Sequence, residues 1–361
     1  MGGSSKRLQT ELLHAQQGDM GDPAVRRVAE LLRGGRLVAF PTETVYGLGA
    51  DATNAEAVAG IFQAKGRPHS DPLIVHLASA EALPTVAASI PPLAVRLANQ
   101  FWPGPLTLIL PRAEQIPPIV AAGGDTVGVR VPGHAVALAL LRVAGVPVAA
   151  PSANRFMHTS PTTAAHVLAD LDGRIDAVLD AGPCAIGVES TVLDVTVSPP
   201  RVLRPGGVTL EALRTVAPDV VGLEPGVTSE PVAAEHVARA PGQMERHYAP
   251  RTRLIVFDAQ GAEALAAIRA EAEAALARGE RVGALLADEE AEALAGLPVT
   301  VARLGSHTSL TEISRRLYAA LREMDELGLD VIVAHTFGME GMGLALWDRL
   351  RRAAGGEMRR L

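Results

Sequence analysis

Four polar clusters break into otherwise apolar stretches of this sequence, and each carries residue types suited to holding small anions. The first is Pro41-Thr42-Glu43-Thr44-Val45-Tyr46-Gly47-Leu48-Gly49, where hydroxyls, a carboxylate and two glycines follow a buried strand. Open α/β sheets hold ligands at such strand ends. The second is Lys65-Gly66-Arg67-Pro68, two cations around a glycine at a helix end. Two cations there stabilise the helix C-terminus, but a compact ammonium beside a planar guanidinium also suits phosphate. Composition favours the second use. Of 33 basic residues only Lys6 and Lys65 are lysine, so a lysine kept inside the fold is needed as lysine. The third is Pro151-Ser152-Ala153-Asn154, directly after a strand; Ser and Asn there can cap a helix, yet Asn is as scarce as Lys, occurring only at 54, 99 and 154. The fourth is dispersed: His76 in Leu-Ile-Val-His-Leu, Arg130 in Gly-Val-Arg-Val, Glu189-Ser190-Thr191, and Arg204 in Leu-Arg-Pro-Gly. A lone His on an apolar strand reads as a satisfied core residue. An Arg centred in a strand needs an anionic partner if buried, so two of them predict two anionic ligand groups, a carboxylate and a phosphate.

The elements that must position these clusters are legible. Asp22 caps a first helix with Pro23 in its first turn and Val25, Val28, Leu31 and Leu32 on one face; Gly34-Gly35 ends it. Arg36 to Phe40 reads as a strand. A second helix starts at Asn54, carries Val58, Ile61 and Phe62, and stops at Gly66. Further strands are predicted at Leu73–Leu77, Leu106–Leu110, Thr126–Val131, Val146–Ala150, Ala177–Asp180, Ser190–Val195 and Arg201–Arg204, with helices between several of them, giving a mixed α/β sheet. Periodicity lapses from Gly222 to Pro250, a stretch punctuated by Pro and Gly that reads as a linker. Beyond it, apolar strands at Leu254–Phe257, Val282–Leu286, Val299–Leu304 and Val331–Ala334 alternate with helical patterns, the last near Leu344–Leu350, and predict a small parallel doubly wound domain. The expected organisation is a tail over 1–21, a first domain over 22–221, a linker over 222–250 and a second domain over 251–361.

Bulk properties exclude several classes. A hydrophobic fraction of 48% over 361 residues supplies the cores of two domains. The net charge of −7 argues against a protein that coats nucleic acid through a strongly basic face. One cysteine, Cys184, allows neither a disulfide framework nor a cysteine zinc site, and reads as a small core residue. No apolar leader and no membrane-length run is present, so a soluble, cytoplasmic protein is expected. The Walker A loop, the dinucleotide glycine fingerprint after the first strand, the His-Glu-x-x-His helix and the nucleophile elbow are absent. Arg349, Arg351, Arg352, Arg359 and Arg360 form a basic tail, read as a solvated helix end in preference to an RNA contact.

The clusters, with Pro-Leu-Ile-Val-His at 72–76, Pro-Gly-Pro-Leu-Thr at 103–107, Gly-Val-Glu-Ser-Thr-Val at 187–192 and Arg-His-Tyr-Ala-Pro at 246–250, follow the order found in the YrdC-like family of threonylcarbamoyl-AMP synthases, which the chain resembles in its long form. The resemblance implies a twisted mixed sheet around a large concave, positively charged cavity, followed by a smaller Rossmann-like doubly wound C-terminal domain. It implies a reaction joining L-threonine, bicarbonate or CO2, and ATP into threonylcarbamoyl-AMP and pyrophosphate, for threonylcarbamoyladenosine modification of tRNA position 37. The family's catalytic tetrad falls on Lys65, Arg67, Ser152 and Asn154. Its threonine contacts fall on Thr44, His76, Arg130, Ala150 through the main chain, and Ser190. Its ATP contacts fall on Arg67, Asp71, Thr126, Ser152, Ser160 and Arg204, with Tyr248 from the linker; the family often has Asn at the position of Asp71.

The residues suit that chemistry on their own terms. A carbamate attacking the α-phosphorus brings two anions together, so positive charge and alignment are required, and Lys65, Arg67 and Arg204 can supply them. Arg130 can fork onto the threonine carboxylate. Mg2+ is expected to arrive with ATP, held by phosphate and water, with no protein ligand and no organic cofactor. The linker around Arg246–Tyr248 is the natural lid for an unstable carbamate. Implied partners are ATP, L-threonine, bicarbonate and the downstream tRNA threonylcarbamoyl transferase machinery, with a weak RNA contact and no membrane. Two rival readings are an RNA-binding module that uses the same basic cavity, and a carbamoyl transferase acting on a different acceptor. The C-terminal domain shows periodicity but no site, which leaves a protein-interaction role open.

Overall fold

In the computed structural model, which describes residues 8–223, 241–242 and 246–361, the chain enters the fold earlier than its composition suggests. Strand β1 (Glu11–His14) pairs in parallel with a strand at Ala177–Asp180 and forms one edge of the main sheet. The expectation of a tail over 1–21 is corrected here. A four-residue strand with alternate exposed positions carries little apolar signal, and its pairing partner lies far along the chain.

The first helix, α1 (Pro23–Arg33), is capped by the Asp22 carboxylate, which accepts from the Ala24 amide. It leads to β2 (Val38–Phe40), a turn over Pro41–Tyr46, and an antiparallel return as β3 (Gly47–Asp51). The expected turn is therefore shorter than its cluster, because Gly47–Gly49 belongs to the sheet. Helix α2 (Ala55–Lys65) is capped by Asn54 and closed by Gly66 at φ +66°, a left-handed conformation that glycine adopts without steric cost. The domain continues through β4 (Ile74–His76), α3 (Pro92–Phe101), β5 (Leu106–Pro111), β6 (Thr126–Arg130), α4 (Ala135–Ala144), β7 (Val148–Ala149), α5 (Ala164–Leu171), β8 (Ala177–Asp180), β9 (Thr191–Asp194), β10 (Arg201–Arg204) and α6 (Leu210–Arg214). The sheet order is β1-β8-β2-β3-β7-β4-β6-β5-β9-β10, with parallel and antiparallel pairs mixed. One face packs Val25, Val28 and Leu32 of α1 with Leu140 and Leu141 of α4 against Phe40 and Val148. The other packs Ile61 and Phe62 of α2, Leu97 of α3 and Leu171 of α5 against Leu48, Val75 and Leu108.

The second domain has β11 (Arg253–Asp258), α7 (Gly261–Ala277), β12 (Val282–Leu286), β13 (Val299–Arg303), α8 (Leu310–Glu326), β14 (Val331–His335), α9 (Gly343–Ala354) and β15 (Met358–Arg360). Its sheet order is β13-β12-β14-β11-β15, and every pair is parallel. Helix α7 covers one face, burying Ile268 and Ala272 against Ile255 and Val333. Helices α8 and α9 cover the other, burying Leu317, Leu321 and Leu346 against Val256 and Ile332. This is the doubly wound domain that the alternating pattern predicts.

The domains share a core. Val45 of the first domain and Tyr248 of the linker pack in the same apolar cluster as Leu317, Tyr318 and Leu350. Polar contacts stitch its edge: Ser314 Oγ donates to Ile186 O at 2.9 Å, and Arg322 pairs with Asp170 at 2.7 Å. Of the expected linker 222–250, residues 224–240 and 243–245 lie outside the described residues. The basic tail is corrected: Arg349 and Arg352 are buried in the domain interface and are not available to RNA. They sit on the face of α9 that packs inward, and helical phase, not charge, decides this. Among the described residues no helix is long and apolar enough to cross a membrane.

At the closest approach Gly187, with φ +83°, lies directly against α8, and a Cβ there would stand 2.4 Å from the Arg315 Cα. Gly187→Ala is expected to push α8 away and cost about 1–3 kcal/mol. Thermal unfolding of the full chain checks this; a melting curve superimposable on the unsubstituted protein refutes it.

Candidate active site

A cavity lies around the ends of β2, β4, β6 and β7 and the start of β9, a placement typical of ligand sites in α/β sheets. The structure brings together here nine of the residues singled out from the sequence: Thr44, Arg67, His76, Arg130, Ala150, Ser152, Ser190, Arg204 and Tyr248. The roof is supplied by Pro241, Gly242, His247 and Tyr248. Ala249 N donates to Met157 O at 3.0 Å and His247 N to Arg352 O at 3.2 Å, which ties the linker to both domains.

Three guanidinium groups enter the cavity wall. Arg130, at the end of β6, pairs with Glu43 at 2.7 Å and donates to Thr44 Oγ1 at 3.0 Å and Gly104 O at 3.2 Å. Burial pushes the Glu43 carboxyl up, but the Arg130 charge and the Gly133 amide outweigh it and hold it below the ordinary value. Arg67 follows the left-handed turn at Gly66, pairs with Asp71 at 2.9 Å, and donates to Asp71 O at 3.1 Å and Pro72 O at 2.8 Å. For Asp71 burial wins, and its carboxyl is raised despite Arg67. Arg204 differs. It donates to Ser190 O at 3.0 Å, Ser190 Oγ at 3.1 Å and Pro241 O at 3.3 Å, and among the described residues no carboxylate stands within ion-pair distance of it. An uncompensated cation beside a cavity wall is a place for an anionic ligand group.

Lys65, the last residue of α2, does not line the cavity. Its ammonium donates to Ser152 O and Asn154 O at 2.5 Å each and to Asn154 Oδ1 at 3.5 Å. Burial first, and the Arg67 charge second, pull it well below the ordinary lysine value, while its N–H donors meet the two carbonyl oxygens directly. Asn154 is fixed in turn: its Oδ1 accepts from Ser152 Oγ at 2.5 Å, and its Nδ2 donates to His158 O at 2.7 Å. Lys65 and Asn154 therefore hold the loop that presents Ser152 to the cavity.

The remaining expected positions fall elsewhere. Ser160 is buried one layer behind, donating to Glu189 Oε1 at 2.6 Å. Asp71 is likewise behind the wall, taken up by Arg67. Thr126 opens β6 and pairs in register with Pro111; it lies four residues from Arg130, about 13 Å along the strand at roughly 3.3 Å per residue, and is not among the residues lining the cavity. The reading of His76 as a plain core residue is also corrected. It is buried, yet it lines the cavity, because β4 ends there. Sequence reasoning passed over the supporting residues: Glu43 and Glu189 as charge partners, and Thr107, whose hydroxyl bonds Ser190 Oγ at 2.8 Å. The available signal was polarity inside or beside an apolar strand. Among the described residues no cluster of three or more His, Cys, Asp or Glu side chains can hold a metal ion, and Glu43, Asp71 and Glu189 are each taken up by an arginine.

Comparison with known proteins bears on the whole chain. A family profile described as telomere recombination matches residues 30–206, and one for the threonylcarbamoyl-AMP synthase C-terminal domain matches residues 208–355. A threonylcarbamoyl-AMP synthase of Pyrococcus abyssi is 44% identical over 336 residues, covering 92% of this chain and 94% of its own. One of Bacillus subtilis is 42% identical over 338 residues, covering 93% and 94%. The solved structure of P. abyssi Sua5 complexed with L-threonine is similar with a TM-score of 0.90 at 41% identity, over 98% of this chain and 100% of that one. A P. abyssi Sua5 variant with one His and one Tyr changed to Ala is similar with a TM-score of 0.89 at 40% identity, over 98% of each chain.

His76 generates a pH prediction. Burial, reinforced by Arg130, lowers its pKa from 6.5 to about 3, so the ring is neutral in the folded protein at ordinary pH. The unfolded chain takes up this proton first as pH falls, so the stability contribution is full above about 6.5 and declines below it. Between pH 7 and pH 5 the loss from this residue is about 2 kcal/mol. Denaturant unfolding at the two pH values is expected to show a correspondingly smaller acid loss in His76→Asn; equal losses in the two proteins refute a neutral buried His76.

Proposed function

Because the chain belongs to the family of threonylcarbamoyl-AMP synthases, with both its catalytic and its C-terminal domain, we propose that it is a nucleotidyltransferase joining L-threonine, bicarbonate or CO2, and ATP into threonylcarbamoyl-AMP and pyrophosphate. The observation that carries the reading is the convergence of Arg67, Arg130 and Arg204 on the wall of one cavity. Three guanidinium groups around one cavity suit the carboxylate and phosphates of small substrates, which favours an enzyme over the RNA-binding alternative.

In this reading the threonine carboxylate sits near Arg130 and Thr44, with neutral His76 and the Ala150 main chain alongside. Arg130 is held in place by Glu43, so its free edge is presented without a search through rotamers. The carbamate oxygen attacks the α-phosphorus of ATP, a new O–P bond forms, and the bond to the β-phosphate oxygen breaks to release pyrophosphate. Positive charge is needed where phosphate oxygens gather, and Arg204, whose direct partners among the described residues are neutral oxygens, is the group best placed to supply it, assisted by Arg67. Ser152 donates from the loop that Lys65 holds. Tyr248 closes the site against water, which an unstable carbamate requires. Mg2+ is proposed to enter on the ATP phosphates. The product is proposed to pass in the cytoplasm to the tRNA threonylcarbamoyl transferase machinery.

Pyrophosphate release from ATP is expected to require both L-threonine and bicarbonate; equal release without threonine refutes the reading and favours transfer to another acceptor. Lys65→Met leaves the Ser152 and Asn154 carbonyl oxygens without their Lys65 donor, at about 1–3 kcal/mol each, and lets the Ser152 loop move. Turnover is expected to fall about a hundredfold or more with the fold retained, and Lys65→Arg to recover little, since a planar fork cannot meet acceptors converging on one point. Steady-state kinetics beside circular dichroism measures both, and near-normal turnover in Lys65→Met removes the loop-holding role.

A further inference from the structure

One side chain of the C-terminal domain reaches the cavity wall from behind. Arg349, on α9, is wholly buried. Its Nε donates to Glu189 Oε2 at 2.6 Å, Nη1 to Asp348 Oδ2 at 2.6 Å, and Nη2 to Pro205 O at 3.0 Å. The guanidinium also lies over the Tyr248 ring, 5.1 Å from its centroid. Glu189 and Tyr248 line the cavity, and Pro205 follows Arg204, which lines it too. Glu189 precedes Ser190, to which Arg204 donates. One guanidinium thus spans the two chain segments across which Arg204 and Ser190 meet.

Joining the domains does not require this charge. Their shared cluster is apolar, and buried ion pairs are generally no more stabilising than well-packed apolar groups. What the charge does is answer Glu189. That carboxylate is buried, with Ser160 Oγ at 2.6 Å and the Tyr318 hydroxyl at 3.1 Å as its neutral donors. Burial pushes its pKa up, and Arg349 first and Arg204 second pull it below the ordinary value. Were Arg349 absent, Arg204 would be the cation nearest in effect, and Glu189 would compete for it with any phosphate in the cavity.

We propose that Arg349 is a positioning residue for the reaction: by neutralising Glu189 from the C-terminal domain it leaves Arg204 free to meet the phosphates of ATP. This rests on the reading of the cavity as the ATP and threonine site. It also assigns the C-terminal domain a part in the chemistry beyond interaction with other proteins.

The test is steady-state pyrophosphate release by the full chain, with threonine binding measured by calorimetry in the absence of ATP. Arg349→Met is expected to raise the KM for ATP at least tenfold while the threonine Kd stays within threefold. The double variant Arg349→Met with Glu189→Gln removes the stranded carboxylate charge and is expected to return the KM for ATP to within threefold of the unsubstituted protein. A KM within twofold in Arg349→Met, or a double variant as impaired as the single one, overturns the proposal. A merely structural role would weaken threonine binding along with the KM for ATP, because the threonine-side wall is built on the same cavity. If Arg349→Met does not fold, the double variant decides, and a rise above threefold overturns the proposal. The unsubstituted protein separates the two levels: no threonine-dependent release from it defeats the functional reading itself, whereas normal release with unaffected Arg349 variants defeats only this proposal.

Discussion

A charge taken out of water has to be answered by oxygen or by an opposite charge, and here three guanidinium groups at the cavity and the Lys65 side chain behind it are buried at once. The arrangement around them follows from that requirement. Arg130 is answered by Glu43, Arg67 by Asp71, and Lys65 by the carbonyls of Ser152 and Asn154. Among the described residues, Arg204 makes its direct contacts with neutral oxygens. The wall is therefore rigid where charge is paired and receptive at one place where it is not. A site built this way loses little to reorganisation when an anion arrives, which is the condition for electrostatic stabilisation of a phosphoryl transfer.

The same requirement binds the domains into one working unit. Glu189 stands beside Ser190 at the cavity, and its counter-ion comes from α9 of the C-terminal domain. Tyr248 belongs to the linker, yet its ring packs with Tyr318 of α8 and lies under Arg349. The roof of the cavity is thus made of parts of the chain that are far apart in sequence, and its geometry depends on how the two sheets dock. Gly187 permits that docking by letting α8 approach the loop that carries Glu189 and Ser190.

Much of the site was legible because anion-handling residues are conspicuous inside apolar strands. Arg130 and Arg204 announce themselves in that way, and Ser152 and Asn154 follow a strand directly. The supporting residues were harder to see. Lys65 was expected to meet phosphate because its rarity marked it as needed, and rarity does not say for what; the structure turns its ammonium onto the loop instead. Thr126 shares a strand with Arg130 but is not among the residues that line the cavity. His76 looked like a core residue, and its burial is real. That the core at this point borders a cavity depends on where neighbouring strands stop.

The sequence by itself determined the helices with their caps, most strands, the parallel second domain, and the inventory of groups able to hold a carboxylate and a phosphate. These rest on periodicity, capping chemistry and residue type, which are local properties of the chain. Tertiary structure alone decided the pairing of β1 with β8, the burial of Arg349 and Arg352 in place of a solvated basic end, the neutralisation of Arg130 and Arg67, and the seat of Tyr248 over the cavity. Each of these depends on contacts between residues distant in sequence. Burial and charge compensation are set by what surrounds a group in space, and no local pattern in the chain encodes that.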